Sequence, residues 1–230
     1  MSKIAPIVAS CPKCGHQQDH RIFDSLNADR VPVQVDAILD GSFERAECRE
    51  CQHGYQPEHT MLFAQYSTRT WIAMHPCADR PSFPIIERGV ELILERNFGA
   101  APPMVADGLR GIRPRLVFGQ HMLAEAVRCL RSALDPVLLE CAKMLALRRN
   151  LQQLLDFGPC ELAFEAFSEA GDLVHGVHRL ETAERIGTFE LPKDAIAEVR
   201  AGQTELETLY PDLFQRPYDS MCRYFYPTAS

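Results

Sequence analysis

Two cysteine pairs constrain this chain more than any other feature of its sequence. They read Cys11-Pro-Lys-Cys14 and Cys48-Arg-Glu-Cys51, and 33 residues separate Cys14 from Cys48. A C-x-x-C turn brings two thiolates to one side of a tight loop, so two such turns fill the four corners of a tetrahedron. Because four thiolates leave no open coordination position, we predict a structural Zn²⁺ site. Its ligands are Cys11, Cys14, Cys48 and Cys51.

Residues next to the pairs favour two metal-binding turns. Gly15 follows Cys14 and Gly54 follows Cys51 by three positions, and glycine allows a positive φ that points backbone N–H groups at the sulfurs. The interval between the pairs exceeds the roughly 15–20 residues of the commonest four-cysteine pattern. We therefore expect further structure between them, such as a helical turn over 31–39 that stops at Gly41. Since four cysteines complete the shell, the nearby histidines are expected on the surface: His16, His20 and His53.

Redox chemistry is the main alternative use of these cysteines. A C-P-x-C sequence also occurs in thiol oxidoreductases, where a helix N-terminus activates the first thiolate. The residues after Cys14 begin no convincing helix, and the second pair gives the thiols a better use. Unmetallated buried cysteines are the remaining alternative. The other five cysteines are scattered, and Cys129 and Cys141 fall on apolar helix faces as small core residues.

The composition indicates a globular protein of the cytoplasm. The 230 residues are 46% apolar and 24% charged, which excludes a mainly disordered chain. The first ten residues do not resemble a secretory signal, and no apolar run approaches the roughly 18–20 residues of a membrane span. In the cytoplasm cysteines stay reduced, and the odd count of nine also disfavours a full disulfide framework.

Charge is distributed unevenly along the chain. The net charge is -7 overall: residues 1–60 carry -3, residues 61–150 carry +4 and residues 151–230 carry -8. An acidic protein is a poor general nucleic-acid binder. Three arginines of this basic middle cluster near 98–114 but form only a thin patch for nucleic acid: Arg110, Arg113 and Arg115. We expect another protein as the partner, and neither nucleic acid nor a membrane.

The pattern of apolar residues predicts an α+β protein. Strands are predicted at 21–27, 42–48, 55–63, 70–75, 116–118, 162–167, 173–178 and 186–191, and helices at 85–97, 121–134, 136–155 and 192–200. Residues 98–114 are rich in glycine and proline and are predicted as a linker. We therefore predict a zinc-ribbon-like antiparallel β domain over 7–97. A second domain over 115–230 would join helices to a small antiparallel sheet, with the chain from Tyr210 onward crossing the surface.

No catalytic residue is predicted. The sequence contains no phosphate-binding glycine motif, no H-E-x-x-H and no G-x-S-x-G. His175 and His178 flank one predicted strand and would face the same side if it were regular. A metal pair there is conceivable, but exposed strand histidines are commoner.

The sequence resembles the CpXC family of bacterial and archaeal proteins over about residues 7–135. The resemblance rests on Cys11-Pro-Lys-Cys14-Gly15, a turn near 36–41, the stretch from Phe43 to Cys51, the apolar residues 61–63 and the strand 71–74. The second pair lacks the proline of the family's name, but proline shapes the turn and is not a ligand. The resemblance implies a zinc-ribbon-like domain and no defined activity.

These observations favour a non-enzymatic adaptor or protein-interaction protein with a structural four-cysteine zinc site. An enzyme with a cleft near 98–118 is one alternative, and a thiol-redox protein using Cys11 and Cys14 is another. A nucleic-acid-associated zinc-ribbon protein, binding through the basic middle, is the third.

Overall fold

The computed structural model describes residues 2–99, 111–149 and 156–224. Contacts between residues divide the chain into two compact units. The N-terminal unit comprises residues 1–76 and 90–124, and the C-terminal unit comprises 77–89 and 125–230. Most of the predicted linker, 100–110, lies outside the described residues, so the domain boundary stays a prediction. None of the described helices is both long and apolar enough to span a membrane.

A five-stranded mixed sheet forms the centre of the N-terminal unit. Its strands run in the order β1-β2-β5-β6-β7, and two short strands, β3 and β4, form a separate hairpin. The bounds are Lys3–Ser10 for β1, Gln17–Asn27 for β2, Ala46–Glu47 for β3, Gly54–Tyr55 for β4, Met61–Gln65 for β5, Thr70–His75 for β6 and Arg113–Phe118 for β7. The core of the sheet includes Phe63, Ile72 and Leu116, which are almost fully buried.

Two strand pairs in this sheet are parallel, a feature that the prediction of an antiparallel domain did not include. They are β2 with β5 and β6 with β7. Parallel neighbours need a long crossover connection, commonly helical. Helix α1 (Pro32–Asp40) lies in the first connection and helix α2 (Phe83–Gly99) in the second. Gly41 ends α1 with φ of 77°, as its position after the last helical residue predicted.

The C-terminal unit contains a three-stranded antiparallel sheet and several helices, as predicted. The strands β8 (Cys160–Phe167), β9 (Leu173–Arg179) and β10 (Arg185–Leu191) have the order β10-β9-β8. The helices are α3 (Gln120–Arg131), which begins in the N-terminal unit, α4 (Pro136–Arg149), α5 (Ala195–Ala201), α6 (Gln203–Leu209) and α7 (Pro211–Gln215). The α+β class is therefore confirmed.

Local sequence signals set the start of α4. The side chain of Asp135 accepts hydrogen bonds from the backbone N–H groups of Val137 at 2.9 Å and Leu138 at 3.3 Å, as expected for an N-cap residue. Cys129 and Cys141 are both 1% exposed in the apolar core of this unit, where they pack as predicted. The last part of the predicted helix, 150–155, lies outside the described residues.

Two expectations about the C-terminal unit were wrong. The chain from Tyr210 onward was expected to cross the surface; residues 210–216 are mostly exposed or half-buried, but residues 217–223 are all buried. His175 and His178 are not exposed, and they do not share a side of β9. The side chain of His175 packs against Phe164, whereas the ring of His178 lies over Gly176. An offset of three positions puts two side chains on opposite faces of a strand.

Candidate metal centre

The four predicted ligand residues come together at one place in the N-terminal unit. The sulfurs of Cys11, Cys14, Cys48 and Cys51 all lie within 4.8 Å of one another. The Cys11 and Cys51 sulfurs are 3.7 Å apart, and those of Cys14 and Cys48 are 3.6 Å apart. A tetrahedral zinc with bonds of about 2.3 Å separates its sulfurs by about 3.8 Å. All four are free cysteines, so the donor set fits a thiolate-bound metal.

Each cysteine pair is the loop of a β-hairpin, and the two loops match. Residues 11–16 connect β1 to β2, and residues 48–53 connect β3 to β4. The N–H of Cys11 donates to the carbonyl of His16 at 2.8 Å, and the N–H of Cys48 donates to the carbonyl of His53 at 2.9 Å. Both loops therefore have the same length and the same closing hydrogen bond, and each presents two sulfurs to the other loop.

A left-handed residue follows the second cysteine in both loops. Gly15 has φ of 74° and its N–H donates to the carbonyl of Cys11 at 2.9 Å. Gln52 occupies the equivalent position with φ of 56°, and its N–H donates to the carbonyl of Cys48 at 2.9 Å. The prediction that Gly54 supplies this turn was therefore wrong, since Gly54 lies in β4. A glutamine adopts this conformation at some cost in strain, which the closed loop sustains.

Backbone N–H groups point at the sulfurs and change their acidity. Burial acts to raise the pKa of Cys11, but N–H donors from Cys14 and Lys13 lower it to about 7. The N–H of Cys51 lowers the pKa of Cys48 against the effect of burial, and the N–H of Glu50 adds to it. The first cysteine of each pair therefore loses its proton more easily than an ordinary cysteine, and the thiolate is the form that binds metals.

The thiol of Cys14 holds its proton more strongly than an ordinary cysteine does. The N–H of His16 acts to lower the pKa of Cys14, but the neighbouring sulfurs of Cys51 and Cys48, together with burial, raise it to about 12. Four thiolates this close repel one another, and a divalent cation among them would remove that repulsion. The electrostatics therefore favour a cation at the centre of the cluster.

Little apolar surface supports the two loops. Cys11 and Cys48 are 2% and 1% exposed, and among the described residues the apolar cluster around them adds only Tyr55 and part of Cys51. The Tyr55 hydroxyl is 2.8 Å from Nε2 of His20. His16, His20 and His53 are half-buried rather than exposed as expected, and none of them joins the four sulfurs in the group that could hold a metal.

Gln18 holds the second loop in place, a role that the sequence pattern did not predict. It lies on β2 and is 9% exposed. Its amide nitrogen donates to the carbonyl of Glu47 at 3.1 Å, and its amide oxygen accepts the N–H of Arg49 at 3.0 Å. These two residues flank Cys48. Gln18 thus ties the first hairpin to the start of the second cysteine loop, 48–53.

Replacing Gln18 by alanine is expected to lower the free energy of unfolding by about 2 kcal/mol, because two buried hydrogen bonds are lost at roughly 1 kcal/mol each. Chemical denaturation measures this change. Gln17→Ala, one position earlier on the same strand and exposed, is the control and should change stability by less than about 0.5 kcal/mol. Equal effects of the two substitutions would contradict the role of Gln18.

The neighbourhood of the first pair differs from that of a redox C-x-x-C. Cys14 is followed by Gly15 and then by the strand β2, so the first pair does not begin a helix as a redox C-x-x-C does. Of the predicted arginine patch, Arg110 lies outside the described residues. Arg113 and Arg115 lie two positions apart on β7, and both already interact with other parts of the protein.

Comparison with known proteins agrees with the cysteine pattern. A profile of the CpXC protein family matches residues 9–143, a span that contains all four cysteines of the cluster. No curated protein and no solved structure matches the chain. Because the family match covers more than half of the 230 residues, and because the paired cysteines converge as that pattern requires, the chain belongs to the CpXC family.

Proposed function

We propose that Cys11, Cys14, Cys48 and Cys51 bind one Zn²⁺ in a structural site, and that the protein acts as a non-enzymatic adaptor through contacts with another protein. The convergence of four sulfurs from two matching loops carries the zinc proposal. Tetrahedral four-sulfur sites hold zinc or iron. Zinc is the simpler assignment for a site whose loops lack a core of their own.

The adaptor role is supported by the closed character of the site. Four thiolates would occupy every coordination position of a tetrahedral zinc, so no position remains for a water or a substrate. A metal bound in this way stabilises the fold that surrounds it and performs no chemistry of its own. The protein would then act by presenting a surface, and the strongly acidic 151–230 segment favours a partner with basic character.

Metal analysis of the purified full-length protein tests the site. We expect one zinc per chain, with iron well below one, and no bound zinc in a Cys11→Ser and Cys48→Ser double variant. The matched control is Cys160→Ser, because Cys160 is a half-buried free cysteine outside the cluster. Wild-type protein that is folded and free of metal after purification in zinc-containing medium would overturn the proposal.

The adaptor role needs a separate experiment. Tagged full-length protein, cross-linked in the cells that produce it, should retain one protein in a constant ratio after washing at high salt. The same preparation should contain no nucleic acid. A tightly bound small molecule in place of a protein would reject the adaptor role and leave the zinc site unaffected.

A further inference from the structure

A buried acid–base pair closes the base of the second metal-binding hairpin. Glu44 precedes β3 and His59 follows β4, so the two residues flank the hairpin that carries Cys48 and Cys51. Nε2 of His59 is 2.6 Å from a carboxylate oxygen of Glu44, and both side chains are only 6% exposed. The pair thus joins the two chain segments that enter and leave the hairpin.

Glu44 also fastens this hairpin to the main sheet. Its other carboxylate oxygen accepts the backbone N–H of Phe23 on β2 at 2.5 Å. Glu44 itself has φ of 53°, a left-handed conformation that is strained for a non-glycine residue. The hydrogen bonds of its carboxylate with Phe23 and His59 hold Glu44 in this conformation. The backbone conformation where the chain enters the hairpin therefore depends on both partners.

The surroundings of His59 require a charged imidazole. Nδ1 lies 3.0 Å from the carbonyl of Thr60, while Nε2 faces Glu44. Both ring nitrogens therefore face acceptors, and only the doubly protonated ring can donate to both. Burial acts to lower the pKa of His59, but the hydrogen bond and the charge of Glu44 raise it above its usual value, with a smaller contribution from Asp24 on β2. Asp24 in turn pairs with Lys3 of β1 at 2.8 Å.

We propose that Glu44 and His59 form a pH-responsive clasp that slows release of the metal while His59 is protonated. The inference rests on the proposed zinc site. When the ring loses its proton, the charge-assisted bond at the base of the hairpin is lost and the loop 48–53 opens more often. Metal binding and proton binding are then linked, so each must strengthen the other.

Zinc transfer from the loaded full-length protein to a chelator tests the clasp. His59→Gln keeps a polar side chain that stays neutral at every pH. We expect this variant to release zinc about tenfold faster than wild type at pH 6, with the ratio falling towards one at pH 9. Thiolate protonation affects both proteins equally, so it cancels in the ratio. The control is His75→Gln, because His75 is a half-buried histidine of β6 in the same unit. The ratio of its zinc-release rate to that of the wild type should not vary with pH.

A ratio for His59→Gln that is constant with pH overturns the clasp, whereas failure of the wild type to bind zinc rejects the proposed site instead. Nitrogen NMR of His59 in the wild-type chain gives a second test that needs no variant. The ring should be doubly protonated at pH 6, and its pKa should fall when zinc is removed. A neutral ring at pH 6, or an unchanged pKa, also overturns the clasp.

Discussion

Removal of the bound metal is expected to unfold the loops 11–16 and 48–53 selectively and to lower the melting temperature of the protein. The apolar cluster behind the loops consists of Cys11, Cys48, Tyr55 and part of Cys51, which is too small to hold two hairpin ends together. A ligand at a thousandfold excess over its Kd contributes about 4 kcal/mol to the folded state. The free energy of unfolding of the zinc-loaded protein should exceed that of the metal-free protein by at least this amount.

Thermal unfolding with excess zinc and with a strong chelator measures the size of this effect. Amide hydrogen exchange in the two conditions locates it. Cys48→Ser, which removes a ligand that is 1% exposed, should behave like the chelated protein even with zinc present. Cys160→Ser should keep the full response to zinc. Metal-free wild type with unchanged melting temperature and unchanged exchange in both loops would contradict the expectation.

The convergence of the four cysteines could be predicted because its signal is local. Each C-x-x-C pair builds its own turn, so residue type and spacing identify the candidate ligands before the fold is known. Gly41 and Asp135 were recognisable for the same reason, since a helix cap is decided within a few residues. Local signals failed for the second loop, where Gly54 was predicted as the left-handed residue but Gln52 adopts that conformation. Closure of the loop, rather than the conformational preference of the residue, determines which position is left-handed.

The supporting residues could not be predicted because their contacts join distant parts of the chain. Gln18 contacts a loop about thirty positions away, and nothing in an amide on a strand indicates such a partner. Glu44 and His59 fell within two predicted strands, 42–48 and 55–63, but both lie outside the observed strands. Their contact spans fifteen positions, and residue type alone does not indicate such a partner. The parallel strand pairs were missed because the choice between parallel and antiparallel depends on how the connecting helices pass over the sheet.

Lys143 is the largest example of a role that only the fold reveals. In the sequence, Glu140 and Lys143 are three positions apart, as in an ordinary exposed helix pair. In the structure Lys143 is 1% exposed. Its ammonium group contacts both carboxylate oxygens of Glu125 on α3 at 2.7 Å and 2.6 Å, and Glu140 at 2.5 Å. Glu140 also accepts the N–H of Met221 at 2.9 Å, so the cluster joins α3, α4 and the buried tail.

Replacing Lys143 by methionine is expected to cost about 3–5 kcal/mol of stability, because two buried carboxylates lose the cation between them. Lys193→Met, at an exposed lysine of the same unit, should cost less than about 0.5 kcal/mol. Urea denaturation at pH 7 measures both. A loss below about 1 kcal/mol for Lys143→Met would contradict the stabilising role of the cluster.

The pH dependence of the variant identifies the cause of that loss. Burial already raises the pKa of Glu140, and Lys143 opposes the rise. Without the lysine, the pKa of Glu140 in the folded state should rise further above its unfolded value. The folded state then binds more protons than the unfolded state, so stability falls as the pH rises through the folded pKa. The deficit of Lys143→Met should therefore be smaller near pH 5 than at pH 8, and adding Glu140→Gln should recover part of it at pH 8. A deficit independent of pH would instead point to lost packing of the lysine side chain.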